Sequence, residues 1–242
     1  KSDINKKKEN PSTNARYIEA DAIRGADKME SVKTYLFYIL TICFFFCSSC
    51  SLGQHKDKSH NKLCKYKEVS YPTPNIAEGK TNDIKGVILH HTAEPTIQSS
   101  LKVLTVGQRH VGTHVVIDTN GTRYIMAKPT DVTYHAGKSI LAGREGCNDF
   151  TIGVEFQGNT LETPLTLNQI KSCIEYLLPL IKKYKIPIKN IVTHEMIRNA
   201  YKKKYPNNRC YGKVDITQAE YRRFMKHLQT AIKKNKIKTN II

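Results

Sequence analysis

Val87-Ile88-Leu89-His90-His91-Thr92-Ala93 is a short apolar run that ends in two imidazoles and then turns polar through Glu94 and Pro95. An apolar run of this length, opened by Gly86, reads as a buried strand rather than a helix. Side chains alternate across a strand, so His90 and His91 face opposite sides and only one of them can readily reach a cleft. Three further segments share the chemistry: Ile152-Gly153-Val154-Glu155, Val192-Thr193-His194-Glu195 and Lys213-Val214-Asp215. Two imidazoles and a carboxylate hold a Zn²⁺ ion on three sides and leave a fourth position for water. Glu155 is a further carboxylate able to take a proton from that water. The set points to metal-assisted hydrolysis.

Outward from these segments, strands and helices alternate. Thr151 to Phe156 is a second β-rich run. Residues 113–118 and 122–126 flank Thr119-Asn120-Gly121, and Asn-Gly supplies the positive φ angles of a type I′ hairpin turn. Thr166-x-x-Gln169 is a capping box that opens an apolar face at Ile170, Cys173, Ile174, Leu177 and Ile181. Pro179 lies inside that helix and is expected to kink it. Residues 190–193 form a short strand that delivers His194. A second box, Thr217-x-x-Glu220, opens a helix with Tyr221, Phe224, Met225, Leu228 and Ile232 on one face. The expectation is an α/β fold, one domain over residues 71–235 with a central mixed β-sheet flanked by helices. His194-Glu195-Met196-Ile197-Arg198 is not a metalloprotease helix, because Arg198 stands where a second His is required.

The chain resembles the zinc-dependent N-acetylmuramoyl-L-alanine amidases, a family that includes phage lysozyme-type amidases and peptidoglycan recognition proteins. The likeness runs from about residue 84 to 228. It is carried by Val87 to Ala93, by Gly112-Thr113-His114-Val115-Val116-Ile117-Asp118 with Asn120-Gly121, by Tyr134-His135-Ala136-Gly137 (Tyr for the family's Trp), and by Asn148 through Glu155. The resemblance implies zinc as cofactor, His90 and His194 as ligands, Glu155 as general base and Lys213 as support for the oxyanion. It implies His135 and Asn148 at the cleft wall as substrate contacts, and a peptidoglycan or muropeptide substrate cleaved between N-acetylmuramic acid and L-alanine. Its third ligand is an Asp or Cys two residues after a Lys. Asp215 has that spacing from Lys213, and Cys210, with Asn208 in the Lys position, competes with it. The chain departs from the family pattern at Ile216-Thr217, which replaces Pro-Gly, and at Thr113, where some relatives carry a catalytic Tyr. His114 reads as a structural histidine. Some relatives lack a ligand and only bind muropeptides; a non-catalytic peptidoglycan-binding protein of the same fold is therefore the alternative.

Tyr35 to Cys47 is apolar bar one Thr and too short for a membrane-spanning helix, which needs about 20 residues. Its length suits a secretory signal over residues 29–50. Ser48-Ser49-Cys50 resembles the cleavage box of a bacterial lipoprotein, with Cys50 acylated as a membrane anchor. An exported lipoprotein facing the periplasm or cell envelope follows. Residues 1–28 are expected to be a disordered or non-native leader, 51–70 a polar tether and 236–242 a basic tail. The net charge of +18 favours polyanionic partners. Nucleic acid is excluded among them, since the chain shows no basic helix with interleaved aromatics and carries an export signal. Outside the signal no CxxC pair occurs, which disfavours a Cys₄ zinc site. Cys64, Cys147, Cys173 and Cys210 are available for up to two disulfides.

Overall fold

Six strands order the molecule: a mixed sheet runs β1-β5-β4-β9-β3-β10, from Glu68–Ser70 (β1) through Arg123–Ile125 (β5), Val115–Ile117 (β4), Thr151–Phe156 (β9) and Gly86–His91 (β3) to Ile191–Thr193 (β10). These elements belong to a computed structural model that describes residues 66–106, 110–210 and 215–237, all within one compact unit spanning Lys62–Ile242. The leader, the signal segment with Cys50, Cys64 and most of the tether lie outside the described residues, as does Lys213. The domain reaches back to β1, a few residues ahead of the expected start at 71. Among the described residues no helix is long and apolar enough to cross a membrane.

Strands β4, β9, β3 and β10 are mutually parallel, and β3 and β9 are buried at every position. Burial on both faces is what a continuous apolar run without alternation requires. One face packs Val87, Leu89, Val154 and Phe156 against helices α2 (Leu167–Tyr184) and α4 (Gln218–Lys234) through Ile170, Leu177, Phe224 and Leu228. On the other face, Val116 meets Leu101 and Leu104 of α1 (Ile97–Val106), and Ile88 with Val192 meets Ile197 of α3 (His194–Lys204). Each of these buried apolar side chains contributes about 1.5–3 kcal/mol. The cleft lies on this second face, between α1 and α3. Two small two-stranded sheets flank the domain: β2 (Ile76–Thr81) with β6 (Asp131–Thr133), and β7 (Ile140–Leu141) with β8 (Arg144–Glu145).

Local signals meet with mixed fates. The Thr166 box forms in both directions, and α2 continues through Pro179. The Thr217 box forms by half: Thr217 accepts from Glu220 N–H, but the Glu220 carboxylate instead accepts from Leu165 N–H (3.0 Å) and Arg223 Nη1 (2.9 Å). That diversion ties the start of α4 to the start of α2. The β4–β5 hairpin does not use a type I′ turn. Gly121 N–H donates to Asp118 C=O (2.8 Å), and only Gly121, at φ +89°, is left-handed there. One more residue in the loop gives a turn followed by a glycine bulge instead. Cys147, Cys173 and Cys210 are free thiols, so no disulfide joins them. Cys147 and Cys173 are buried on opposite faces of the sheet. Helix α4 runs to Lys234, just inside the expected end of the domain at 235.

Candidate metal centre

The parallel register places His90 of β3 beside Glu155 of β9, and β10 ends beside β3, so the carboxyl ends of all three strands converge. His194 is the first residue of α3; Thr193 caps that helix by accepting from Met196 N–H. Asp215 precedes the Thr217 cap of α4 and is anchored by the buried Ile216 behind it. Among the described residues, His90, His194 and Asp215 form a group able to hold a metal ion. Asp215 Oδ2 lies 3.2 Å from His90 Nδ1 and 3.2 Å from His194 Nδ1.

The surrounding hydrogen bonds decide what those three atoms offer. Thr151 Oγ1 donates to the Cys147 carbonyl (2.6 Å), so its proton is committed and the oxygen accepts from His135 Nε2 (3.3 Å). His135 Nδ1 is then a lone pair and accepts from His90 Nε2 (3.3 Å). His90 therefore turns an unprotonated Nδ1 toward Asp215. His194 Nε2 donates to the Ala136 carbonyl (3.2 Å), which leaves its Nδ1 unprotonated too. Three electron pairs thus face one another with no proton between them, an arrangement that a cation resolves. The 3.2 Å separations match the edge of about 3.3 Å of a tetrahedron whose centre lies about 2.0 Å from each ligand atom. Outer partners that fix imidazole tautomers are the usual companions of a metal site.

Burial opposes the ionised form of Asp215; protonated imidazoles at His90 and His194 would hold the carboxyl well below the usual carboxylate range, and a cation bound in place of those protons would favour the carboxylate in the same way. Its other oxygen, Oδ1, accepts from the backbone N–H groups of His91 (2.9 Å) and Ile216 (3.1 Å), so the carboxylate is fixed from behind. His135 is pushed well below its ordinary value by burial first and by its neighbours His90, His114 and His194 next, which keeps it neutral as the relay requires.

The other expected residues fall as follows. Glu155 is buried on the same sheet face as His90 and lines the same cleft, and its Oε2 has no hydrogen-bond partner among the described residues. A buried carboxylate oxygen left without a partner is costly unless it serves a ligand or a reaction. His91 points away from the cleft: its Nδ1 accepts from Thr160 N–H (3.1 Å), while Thr160 Oγ1 accepts from Thr217 N–H (3.1 Å), clamping the Asp215 segment. Asn148 lies at the cleft wall, where its Oδ1 accepts from His135 N–H (3.0 Å) and Ala136 N–H (2.7 Å). His135 lines the cleft on both sides of the centre. His114 is structural: Nδ1 accepts from Gly153 N–H (3.0 Å), Nε2 donates to Asp131 C=O (2.9 Å), and burial pushes its pKa down to about 4. Cys210 is half-buried at the cleft rim and stands apart from the three-residue group. Sequence reasoning missed Thr151 and the Ala136 carbonyl; Ala136 adjoins His135 in sequence, whereas Thr151 is brought to it only by the fold.

A model of the N-acetylmuramoyl-L-alanine amidase family matches residues 80–213. The chain is 41% identical over 90 residues to the 1,6-anhydro-N-acetylmuramyl-L-alanine amidase AmpD of Haemophilus influenzae, a match covering 36% of this chain and 47% of that protein. It is 42% identical over 64 residues to AmpD of Enterobacter cloacae, covering 26% and 34% respectively. The matches thus span less than half the length of these curated relatives. Among solved structures, a selenomethionine AmpD derivative superposes with a TM-score of 0.50 at 20% identity, over 67% of this chain and 95% of that one. That likeness speaks to the fold.

Proposed function

Because the chain belongs to the N-acetylmuramoyl-L-alanine amidase family, we propose that it is a zinc-dependent hydrolase of the amide between N-acetylmuramic acid and L-alanine in peptidoglycan or muropeptides. The observation that carries the reading is the convergence of His90 Nδ1, His194 Nδ1 and Asp215 Oδ2, with the unpartnered Glu155 carboxylate in the same cleft. When bound, zinc supplies Lewis acidity, bringing the pKa of water to about 7 and polarising a carbonyl.

The chain's own residues do the rest. Glu155 removes a proton from the attacking water and returns it to the leaving amine of alanine. Its placement on a buried strand beside His90 holds the carboxylate without a mobile side-chain linkage to solvent. The relay from Thr151 through His135 keeps His90 in the ligating tautomer, and Ala136 does the same for His194. Lys213, two residues before Asp215, is the partner for the developing oxyanion in this reading. Thr113 carries no phenol, and its hydroxyl is buried without a hydrogen-bond partner, so a tyrosine contribution at that position is absent. His135 and Asn148 shape the wall against the substrate. The complete ligand set together with Glu155 favours catalysis over simple muropeptide binding.

The same reading places the enzyme outside the cytoplasm as a lipoprotein acylated at Cys50, in the cell envelope beside its substrate. The run from Tyr35 to Cys47 followed by Ser48-Ser49-Cys50 supports it. Incubating the full chain with zinc and intact peptidoglycan, then weighing the released fragments, tests the activity. Free stem peptides beginning with L-alanine are expected; fragments cut only within the glycan or between stem residues would contradict it.

A further inference from the structure

The pole of the domain away from the metal centre is built where α2 ends and the chain returns to β10. At its start α2 is tied to the β4–β5 loop, Thr166 Oγ1 donating to Thr119 C=O (2.6 Å) and Ser172 Oγ to Gly121 C=O (2.6 Å). At its far end Lys185 caps the helix in the left-handed region at φ 51°. Asn190 Nδ2 then donates to the Lys85 carbonyl (2.9 Å), just ahead of the amino end of β3. His90 stands near the other end of that strand, about 15 Å away at the rise of an extended chain.

Lys182, Lys183, Lys185 and Lys189 are all exposed on this turn, and among the described residues no ion pair engages them. Neither the stretch Tyr176 to His194 nor the stretch Tyr221 to Ile237 contains an Asp or Glu. Asp83, the acid just before β3, is occupied by Lys85 (3.0 Å) and Arg144 (2.8 Å). Half-buried Tyr184 and Ile188 alternate with the lysines along the chain, and the Lys183 ammonium lies 5.0 Å from the centre of the Tyr184 ring.

We propose that this lysine pole rests on an anionic phospholipid surface and so turns the metal centre away from the membrane. The inference rests on the export reading of residues 29–50 and is independent of the amidase activity. Four cations in eight positions are enough for a negatively charged leaflet to attract. Lysine ammoniums act as point charges, which suits a diffuse field of headgroups, whereas the arginine fork suits single phosphates. Tyrosine, apolar in its ring and polar at its tip, is at home at the same interface. Residues 51–67 join an anchor at Cys50 to β1. Fully extended they reach up to about 60 Å, more than the width of about 40 Å expected for such a domain, so the anchor leaves this pole free to meet the bilayer.

The test mixes the full, unacylated chain at low salt with two kinds of vesicle: phosphatidylcholine alone, and the same lipid with about a third phosphatidylglycerol. Binding to the neutral vesicles reports the apolar run Tyr35 to Cys47 and sets the baseline. Wild type should bind the anionic vesicles about 10²-fold more tightly than the neutral ones, and the preference should fade near 1 M salt, where the screening length is about 3 Å. Lys182→Gln combined with Lys189→Gln should weaken anionic binding about fivefold per lysine, or roughly 25-fold. Lys102→Gln combined with Lys171→Gln makes the same change in net charge at exposed positions of α1 and early α2, and should bind as wild type does. Equal binding of wild type to both kinds of vesicle would overturn the proposal. An equal loss in the two double variants would overturn it too, by assigning the attraction to net charge alone. So would capture by soluble poly(glycerol phosphate) without any preference between the vesicles, which would make the pole a site for a phosphodiester polymer.

Discussion

Replacing Thr151 by Val removes one hydroxyl from the wall of the centre and should loosen metal binding without contact to the metal. In the native chain Thr151 Oγ1 donates to Cys147 C=O (2.6 Å) and accepts from His135 Nε2 (3.3 Å). The carbonyl keeps a second partner, Phe150 N–H at 3.2 Å, so the cost in stability is about 1 kcal/mol rather than that of an orphaned group. The effect on the site is larger. Without an acceptor at Nε2, His135 is free to carry its proton on Nδ1, and it then donates to His90 instead of accepting. His90 must answer with a protonated Nδ1, the atom that faces Asp215. Loss of such an outer partner lowers metal affinity by about 10–100-fold, or about 1.4–2.7 kcal/mol. Titration of zinc against a competing chelator measures the affinity, and imidazole ¹⁵N shifts report the tautomers. Thr151→Ser keeps the hydroxyl and should restore both. Affinity within about twofold of wild type, with His90 unchanged in tautomer, would refute the relay.

Other outcomes follow from the same geometry. Glu155→Gln keeps the shape but accepts no proton; turnover should fall roughly 10²–10⁴-fold with zinc content unchanged, and undiminished turnover would make Glu155 structural. Gly153→Ala brings a Cβ within 2.6 Å of His135 Cγ and 2.9 Å of Thr113 Oγ1; denaturant titration should show a loss of about 1–3 kcal/mol. His114 has a depressed pKa of about 4. The unfolded chain therefore takes up this proton first as pH falls, and the stability His114 confers is complete above its unfolded value of about 6.5. It is lost as pH drops through about 4, and the ring resonances of His114 should stay in their neutral position at pH 5.

The two central strands and the capped helix α2 were legible because their signals are local. An apolar run without alternation forces burial on both faces, and Thr166 with Gln169 satisfies a helix start within four residues. His90, His194 and Asp215 were legible as residue types, and the register of β3 with β9 and β10 is what unites them. Helix α1 was not legible: its Ser, Thr and Val content favours neither state, and it forms because Leu101 and Leu104 cover Val116. The hairpin turn misled because Asn-Gly is compatible with more than one loop length, and Asp118 and Tyr66 decide between them, the ring of Tyr66 packing where a Gly121 Cβ would sit. Glu220 left its own cap because Leu165 and Arg223, brought in by tertiary packing, offered better partners. Thr151 carried no sign of its role, since a hydroxyl gains meaning only from the imidazole set against it. Cys210 and Asp215 were separated only by the fold, which brings Asp215 to the two histidines.

The most direct test of the central claim is metal content set beside activity in single-ligand variants of the full chain. Wild type and Cys210→Ala should each carry about one equivalent of zinc and release L-alanine-initiated stem peptides from peptidoglycan. His90→Ala, His194→Ala and Asp215→Ala should lose both zinc and hydrolysis while remaining folded. Full zinc in all three variants, or its loss in Cys210→Ala alone, would contradict the His90–His194–Asp215 centre.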